Sequence, residues 1–429
     1  MNFIPIKEAL SSKQEGKKVS IRGWVYRERK LKDKIFLVIR DVSGIIQAVV
    51  KTDSKKAYKE SLKLLMESSV ALSGKVRKDD RAPTGYELDV DSLEIIGLAE
   101  RFPITKDKSE EFLLDIRHLW VRSRKLTNVF KIRSTLFGAV DEYFRGNGFY
   151  EVQSPIFTPT SCEGGSSQFK VDYFGKEVYL GQSWQLYAEA LIPSLEKIYC
   201  IAPSFRAEKS KTSRHLTEYW HAEMEIGWAG LDDLLKHAEE MVSHICKRIV
   251  EENSDELKEL GRDPKDIALV KAPFPRLKYK DAVKILEKDK VKFKYGDDIR
   301  PVEGVAIAKH YDKPFFVTHF PQHIMAFYKP VDPDDPESSL GMDMYAPEIG
   351  TELIGGSQRS LDIEEMKKNL KRDKEDVTTY DWYFDTRKYG AVPHAGFGFG
   401  VERALQWICK LDHIRDAIPF PRTMVRTKP

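Results

Sequence analysis

The segment FRAEKSKTSRHLTEYWHAEMEIGW, residues 205–228, combines two arginines, two lysines, two histidines and four glutamates with aromatic residues. After Leu216 its polarity alternates with period two, which is typical of a strand that has one buried face. The apolar positions are Trp220, Ala222, Met224, Ile226 and Trp228, and the polar positions are Tyr219, His221, Glu223 and Glu225. The pattern predicts a β-strand with protein core on one side and a polar site on the other.

The preceding segment KIYCIAPSFRAE, residues 197–208, alternates in the same way, so the two segments predict a hairpin. Its tip carries Arg206, Glu208, Arg214 and His215. Guanidinium groups bind phosphate oxygens in a bidentate manner, and carboxylates can orient a purine or a ribose. The hairpin therefore suggests a polyphosphate site, and the alternative is a solvated hairpin held by surface ion pairs.

The composition is that of a soluble, cytoplasmic protein with no membrane segment. The 429 residues suffice for two or three domains, contain no run of 18 apolar residues, and begin without a signal or transit pattern. Charged residues make up 32% of the chain but nearly cancel to +3, so any site for a polyanion must be a local patch. The four cysteines form no CxxC pair, which predicts buried thiols and neither zinc nor disulfides.

The order of patterns predicts an α+β fold. Five short strands with one helical insert lie between residues 18 and 96 and predict a five-stranded OB-type β-barrel domain, residues 1–100. A polar stretch at 101–125 is interpreted as a hinge. Residues 126–429 predict a catalytic domain built on an antiparallel sheet flanked by helices, with a polar, lysine-rich insert at about 255–300.

Two further segments of the larger domain stand out. Residues 128–147 form an amphipathic helical pattern with Val129, Ile132, Leu136, Val140 and Tyr143 on one face. Near the end of the chain, GFGFG at 396–400 is followed by VERALQWICKL, which predicts a glycine-rich strand that delivers Arg403 to the start of a helix. No GxxxxGK[ST] pattern occurs, so a P-loop is excluded.

These segments together resemble the class II aminoacyl-tRNA synthetases over nearly the whole chain. FRAE followed by RHLTEYW resembles motif 2, GFGFGVER resembles motif 3, and the helix running into FYEVQSPIF, with Pro155, resembles motif 1. The barrel is similar to the anticodon-binding domain of the aspartyl, asparaginyl and lysyl subgroup. IGGSQR and the closing stretch YDWYFDTRKYGAVPHAGFGFGVERALQW are most similar to archaeal-type asparaginyl-tRNA synthetases.

The resemblance implies ATP-dependent ligation of asparagine to tRNA(Asn) through an asparaginyl-adenylate. It also implies a symmetric homodimer with Pro155 at the interface. The alternative is an aspartyl-tRNA synthetase, strict or non-discriminating. A paralogue that makes a free amino acid would have little use for an anticodon barrel, and a non-catalytic RNA binder need not keep Arg206, Glu208 and Arg403 together.

For ATP, the resemblance implies a set of residues from motifs 2 and 3. Attack of a carboxylate on the α-phosphorus needs charge neutralisation and in-line positioning. Arg206 would bind the α-phosphate and Arg403 the γ-phosphate. Glu208 would contact adenine, and Tyr219 would stack on the purine ring. Arg214 and His215 would bind the outer phosphates.

For Mg²⁺, the resemblance implies Asp343 and Glu352 as the carboxylate ligands. Hard oxygen ligands suit a cation that bridges phosphates. Gly355 stands where aspartyl relatives place a serine ligand. Strict alternation would put Glu352 and Arg359 on opposite faces of their strand. A break at Gly355–Gly356 is therefore expected if both residues serve one site.

For the amino acid, the resemblance implies a pocket that pairs with both ends of asparagine. Glu163 would bind the α-ammonium group, Gln185 the α-carboxylate and Arg359 the side-chain carbonyl, while His221 or Glu223 would contact the side-chain amide. Ala188 occupies the position of a lysine that binds the substrate carboxylate in aspartyl relatives. The loss of that cation favours asparagine over aspartate.

In the barrel, Phe36 and Gln47 match the residues of the subgroup that stack on and hydrogen-bond to the central anticodon uridine. Arg27 and Arg29, followed by three lysines, would contact the phosphates. The alternative for Phe36 is a place in the barrel core, since it lies in the apolar run IFLVIRD.

Overall fold

The computed structural model describes residues 2–105, 107–162, 168–208 and 214–429. The chain divides into two compact units, Met1–Leu114 and Asp115–Pro429, and the predicted hinge at 101–125 spans this boundary. Within the described ranges, no helix is both long and apolar enough to cross a membrane.

The first unit is a closed five-stranded barrel, as predicted, with strand order β1-β2-β3-β5-β4. The strands are β1 Lys18–Lys30, β2 Lys34–Arg40, β3 Ile45–Lys51, β4 Ser69–Lys78 and β5 Tyr86–Gly97. Helix α1 spans Ile6–Ala9, and the predicted helical insert is α2, Lys55–Ser61, between β3 and β4. Alternate side chains point inward, so that Ile35, Leu37 and Ile39 of β2 are fully buried.

The second unit is built around an eight-stranded sheet. The strands of the whole unit are β6 Tyr150–Glu151, β7 Phe157–Thr158, β8 Lys170–Tyr173, β9 Lys176–Leu180, β10 Lys197–Phe205, β11 Glu218–Gly227, β12 Arg276–Lys278, β13 Phe315–Thr318, β14 Val331–Asp332, β15 Asp335–Ser339, β16 Gly341–Tyr345, β17 Glu352–Gln358 and β18 His394–Gly400. The order in the main sheet is β12-β13-β16-β17-β18-β11-β10-β6, antiparallel except at the two outer pairs. Strands β7-β9-β8 and β14-β15 form smaller sheets.

Helices flank this sheet. The helices of the second unit are α4 Arg117–Trp120, α5 Arg124–Gly146, α6 Gln185–Leu195, α7 Leu231–Glu259, α8 Pro264–Ala268, α9 Tyr279–Lys288, α10 Pro301–Ala308, α11 Ile363–Arg372, α12 Asp381–Lys388 and α13 Val401–Ile408. Helix α3, Glu110–Asp115, spans the boundary between the two units. Short 3₁₀ turns lie at Ser12–Gln14, Gln322–Ile324, Val377–Tyr380 and Ile414–Ala417.

Helix α5 shows why the core lies on one side of the sheet. The hydroxyl of Ser123 accepts a hydrogen bond from the amide of Leu126 and so caps the start of the helix. The predicted apolar face is buried at Val129, Ile132, Leu136, Val140 and Tyr143. These side chains pack with α7, α13 and the apolar residues of the central strands. The opposite face of the sheet is left for polar residues.

The predicted hairpin is formed by β10 and β11, which pair along their whole length. Ala222, Met224 and Ile226 are buried in the core, as their alternation predicts. The prediction for Trp228 is wrong. The strand ends at Gly227, and Trp228 adopts a φ of +59° and is 69% exposed, because the chain turns there to enter α7.

The polar insert at 255–300 is an integral part of this unit. It contributes α8, β12 and α9, and it buries Ile267, Phe274, Tyr279 and Leu286. Strand β12 pairs in parallel with β13 at the edge of the main sheet. The four cysteines of the chain are buried, as predicted.

Candidate active site

The polar face of the main sheet carries two adjoining clefts among the described residues. The first lies beside the hairpin tip and the start of α13. The second lies between α6, β11, β17 and the segment 323–329. Arg206, His221, Glu352 and Gly398 line both clefts, so these residues mark the junction.

The first cleft brings together all six residues predicted to bind ATP: Arg206, Glu208, Arg214, His215, Tyr219 and Arg403. Tyr219 rests on an apolar cluster of Leu216, Ile414 and Ile418. The guanidinium carbon of Arg206 lies 5.7 Å from the centre of the Tyr219 ring. The cleft therefore offers an aromatic surface beside a cation, an arrangement that suits a base attached to a phosphate.

The charge of the first cleft comes from its arginines. Burial, assisted by Arg403, lowers the pKa of His215, and burial, assisted by Arg206, lowers the pKa of His221 well below its ordinary value. Both histidines are therefore neutral at neutral pH. Burial and the neighbouring Arg403 also lower the pKa of Arg214. Arginines held this close repel one another, and a bound polyanion would relieve that repulsion.

Acidic residues gather where the two clefts meet. Arg403 donates to the carboxylate of Glu352 at 3.1 Å. Burial opposes ionisation of Glu352, but Arg403 and Arg206 hold its pKa below the ordinary value. Burial and the charge of Glu352 raise the pKa of Asp343 well above its ordinary value, and they also raise the pKa of Asp298. Sequence reasoning missed Asp298, because it lies in the polar insert without a motif.

A β-bulge places Glu352 on the face of Arg359. Glu352 lies opposite Tyr345 and Ile354 opposite Met344, so Leu353 is the extra residue. The predicted break at Gly355–Gly356 is wrong, since the alternation breaks at Leu353. A Cβ atom at Gly355 would lie 2.8 Å from Glu352 Oε1 and 3.5 Å from Asp343 Oδ1. Glycine thus leaves space between two carboxylates whose mutual repulsion a divalent cation would relieve.

The second cleft is lined by Gln185, His221, Glu223 and Arg359, four of the residues predicted to bind the amino acid. Glu223 accepts hydrogen bonds from the backbone amide of Trp184, at 3.0 Å, and from the hydroxyl of Ser183. It thereby holds the start of α6, where Gln185 is the first residue. The role of Glu223 towards a substrate amide stays a prediction.

Two other predicted residues are not among the described residues that line this cleft. Ala188 is fully buried in an apolar cluster with Trp184, Ile192, Ile198 and Cys200, and it does not line the described part of the cleft. Its side chain lies beneath the site, because the turn of α6 directs position 188 towards β10. Glu163 lies outside the residues that the structure describes.

Arg359 makes a bidentate ion pair with Glu225, with Nε–Oε1 and Nη2–Oε2 distances of 2.9 and 2.8 Å. Its third nitrogen donates to the hydroxyl of Ser357 at 3.1 Å. A Cβ atom at Gly396 would collide with the Glu225 carboxylate and lie 2.6 Å from Arg359 Nη2. Gly396, the first glycine of GFGFG, is therefore required because the Glu225–Arg359 pair approaches its Cα too closely for any side chain.

In the barrel, the predicted anticodon residues share the outer face. Phe36 alternates with the buried Ile35 and Leu37, so its ring points away from the barrel core. Arg29 lies opposite Phe36. Val38 of β2 lies between Gln47 on β3 and Arg27 on β1. The Gln47 amide donates a hydrogen bond to Glu87 at 3.0 Å. An aromatic ring, an amide and two arginines thus lie side by side, which is a suitable surface for single-stranded RNA.

The motif that contains Pro155 lies on an exposed apolar surface. Pro155 itself is exposed, and nearby Tyr150, Ile156 and Phe157 are 60%, 47% and 45% exposed. Phe174, in the turn between β8 and β9, is 93% exposed. A concentration of exposed aromatic and aliphatic side chains is typical of a protein–protein interface.

Comparison with known proteins agrees with this geometry. The family model described as tRNA synthetases class II (D, K and N) matches residues 109–424, and the OB-fold nucleic acid binding domain matches residues 19–96. The chain is 49% identical over 429 residues to the asparagine–tRNA ligase of Thermoplasma acidophilum, covering 100% of both chains. It is 46% identical to that of Thermococcus gammatolerans, with 97% of each chain covered.

The crystal structure of asparaginyl-tRNA synthetase from Pyrococcus horikoshii, complexed with asparaginyl-adenylate, is 43% identical in sequence. It superimposes with a TM-score of 0.96 and covers 100% of both chains. Both domains, their order and the complete length of the chain therefore match one kind of protein. The chain belongs to the asparaginyl-tRNA synthetases, within the class II family of the aspartyl, lysyl and asparaginyl enzymes.

Proposed function

We propose that this protein ligates asparagine to tRNA(Asn) in two steps at the two adjoining clefts. The observation that carries the proposal is the position of Arg206 in the wall that both clefts share. ATP would occupy the first cleft and asparagine the second. Their reacting atoms, the α-phosphorus and the α-carboxylate, would then meet beside Arg206.

In the first step, a carboxylate oxygen of asparagine attacks the α-phosphorus, and the bond to pyrophosphate breaks. Arg206 would neutralise the α-phosphate and Arg403 the γ-phosphate, while Tyr219 stacks on the purine. In the second step, a hydroxyl of the terminal tRNA ribose attacks the carbonyl carbon of the adenylate. The ester bond forms, the hydroxyl proton is lost, and AMP leaves.

We also assign a Mg²⁺ site to Asp343 and Glu352, with Asp298 nearby. The donor set fits the ion, because it consists of hard oxygens in a cleft that Gly355 leaves open. When bound, Mg²⁺ would neutralise phosphate charge. We place the reaction in the cytoplasm, since four buried cysteines without a CxxC pair suit a reducing compartment.

For asparagine itself, we assign the α-carboxylate to Gln185 and the side-chain carbonyl to Arg359, which lie in the same cleft. His221 and Glu223 face the side-chain amide, and Glu163 receives the α-ammonium group. The neutral state of His221 supports its contact with a neutral amide. The aspartyl alternative is disfavoured, because full-length relatives at 46–49% identity are asparagine–tRNA ligases.

The direct test is pyrophosphate exchange into ATP with each of the twenty amino acids, followed by charging of tRNA(Asn). We expect exchange with asparagine and charging of tRNA(Asn). Exchange with a different amino acid, or with none, would contradict the proposal.

Phe36→Ala is expected to lower the efficiency of tRNA charging by about 5- to 150-fold, because stacking on one base contributes about 1–3 kcal/mol. Asparagine-dependent pyrophosphate exchange should stay unchanged, since that step needs no tRNA. Phe36→Tyr keeps an aromatic face and serves as the matched control, so it should retain most of the charging activity. Equal losses in exchange and charging would show that Phe36 only supports the barrel.

We further propose a symmetric homodimer whose interface includes Pro155 and the exposed side chains around it. Ile156→Asp is expected to convert the dimer to a monomer in sedimentation at micromolar concentration, because it buries an unpaired charge. Leu269→Asp is the matched control, since Leu269 is also exposed, at 74%, but lies at the end of α8. A monomeric wild-type protein would contradict this proposal.

A further inference from the structure

A fully buried carboxylate, Glu189, lies directly behind the second cleft. It follows Gln185 by four residues on α6, and the Gln185 amide donates to Glu189 Oε1 at 2.9 Å. The other carboxylate oxygen accepts from the Tyr383 hydroxyl at 2.7 Å, from His394 Nε2 at 3.0 Å, and from Arg387. The side chain of Glu189 has no solvent exposure.

Glu189 also faces Arg359, the residue assigned to the substrate side chain. Arg359 Nε lies 3.8 Å from Glu189 Oε1, in addition to its bidentate pair with Glu225. Two arginines and two glutamates are thus enclosed together, and all four are buried. Their formal charges balance when both carboxylates are ionised.

The same carboxylates and His394 lie close enough together to suggest a metal site. The guanidinium groups of Arg359 and Arg387 already occupy the oxygen atoms that a cation would need. Two fixed positive charges would also repel a cation. The group therefore acts as a closed network of ion pairs.

We propose that Glu189 is a positioning residue that sets amino-acid specificity by completing the neutralisation of Arg359. This inference rests on the proposed function and identifies a residue that would determine the selection of asparagine over aspartate. With both carboxylates present, the positive charges of Arg359 and Arg387 are matched by two negative charges, which suits the neutral amide of asparagine. Through its bond to Gln185, the same carboxylate also fixes the group that binds the α-carboxylate.

Removal of the charge of Glu189 would leave two arginines with one carboxylate. The excess positive charge would lie within a few ångströms of the substrate side chain, at low dielectric. An aspartate carboxylate would then be stabilised relative to an asparagine amide. If Glu189 only supported the fold, its loss would change kcat/KM for asparagine and for aspartate by the same factor.

The test compares kcat/KM of pyrophosphate exchange with asparagine and with aspartate. Glu189→Gln is expected to raise the aspartate-to-asparagine ratio by about tenfold or more. Glu189→Asp keeps the charge and should leave the ratio near the wild-type value. Tyr383→Phe removes one hydrogen bond to Glu189 without changing charge, so it is the matched control for loss of a contact.

The double variant Glu189→Gln with Arg387→Gln restores the charge balance and should return the ratio towards that of the wild type. It keeps the test decisive if the single variant does not fold, since it leaves no excess charge in the core. An unchanged ratio in Glu189→Gln, or the same ratio change in Tyr383→Phe, would overturn the inference. Failure of the wild-type protein to activate asparagine would instead overturn the proposed function.

Discussion

Arg206→Ala is expected to reduce asparagine-dependent pyrophosphate exchange by at least about 10²–10³-fold, the loss typical when one group that stabilises the transition state is removed. Arg206 lies where the two clefts meet and packs beside the Tyr219 ring. Negative charge concentrates on the α-phosphate as the new bond forms, so the loss should fall on kcat more than on KM. Arg403→Ala should have a similar effect through the γ-phosphate.

The controls separate chemistry from folding. Arg206→Lys keeps the charge but loses bidentate geometry, so it should recover only part of the activity. Arg248→Ala removes an arginine that pairs with Glu142 and Glu252 on the surface of the helical layer, and its exchange rate should stay near wild type. Binding of tRNA should be largely retained in Arg206→Ala. Near-normal exchange by that variant would refute the ATP assignment.

The wild-type protein is expected to prefer asparagine over aspartate by about 10⁴-fold or more, as is usual when a site is built around specific hydrogen bonds. Arg359 makes a bidentate ion pair with Glu225, and Glu189 faces it at 3.8 Å. An aspartate side chain would therefore bring an uncompensated carboxylate towards Glu223 in a largely buried cleft. The amide of asparagine can donate to a carboxylate and accept from an arginine at the same time.

The preference is measured as the ratio of kcat/KM for exchange with the two amino acids. Glu223→Ala should lose asparagine activity, both through the missing acceptor and through the loosened start of α6. Ser357→Ala changes one neutral partner of Arg359 and should have a much smaller effect on the preference. Comparable exchange with aspartate in the wild-type protein would show that the pocket does not select by charge.

The alternation of polar and apolar residues along the strands predicted much of the fold and of the first cleft. The two faces of β11 could be read from the sequence, because the period of a strand depends only on neighbouring residues. Trp228 breaks that period where the chain turns. The bulge at Leu353 could not be predicted, since it depends on the register against Tyr345, on a different strand.

The network behind the second cleft had no signal in the sequence. Glu189 and His394 are separated by 205 positions but lie within hydrogen-bond distance. Asp298 joins the acidic group from an insert whose composition suggested only surface. Ala188 was chosen for its place in a motif, and the motif did not indicate that its side chain lies in an apolar cluster. Such contacts depend on tertiary packing that no short window of sequence contains.

The close approach at Gly396 has a consequence for how the specificity of this pocket could evolve. Any side chain at position 396 would collide with the pair formed by Glu225, on β11, and Arg359, which directly follows β17. A change at one of these three positions is tolerated only in combination with changes at the others. The pocket is therefore epistatic, and stepwise mutation towards a different amino acid would pass through intermediates with a damaged core.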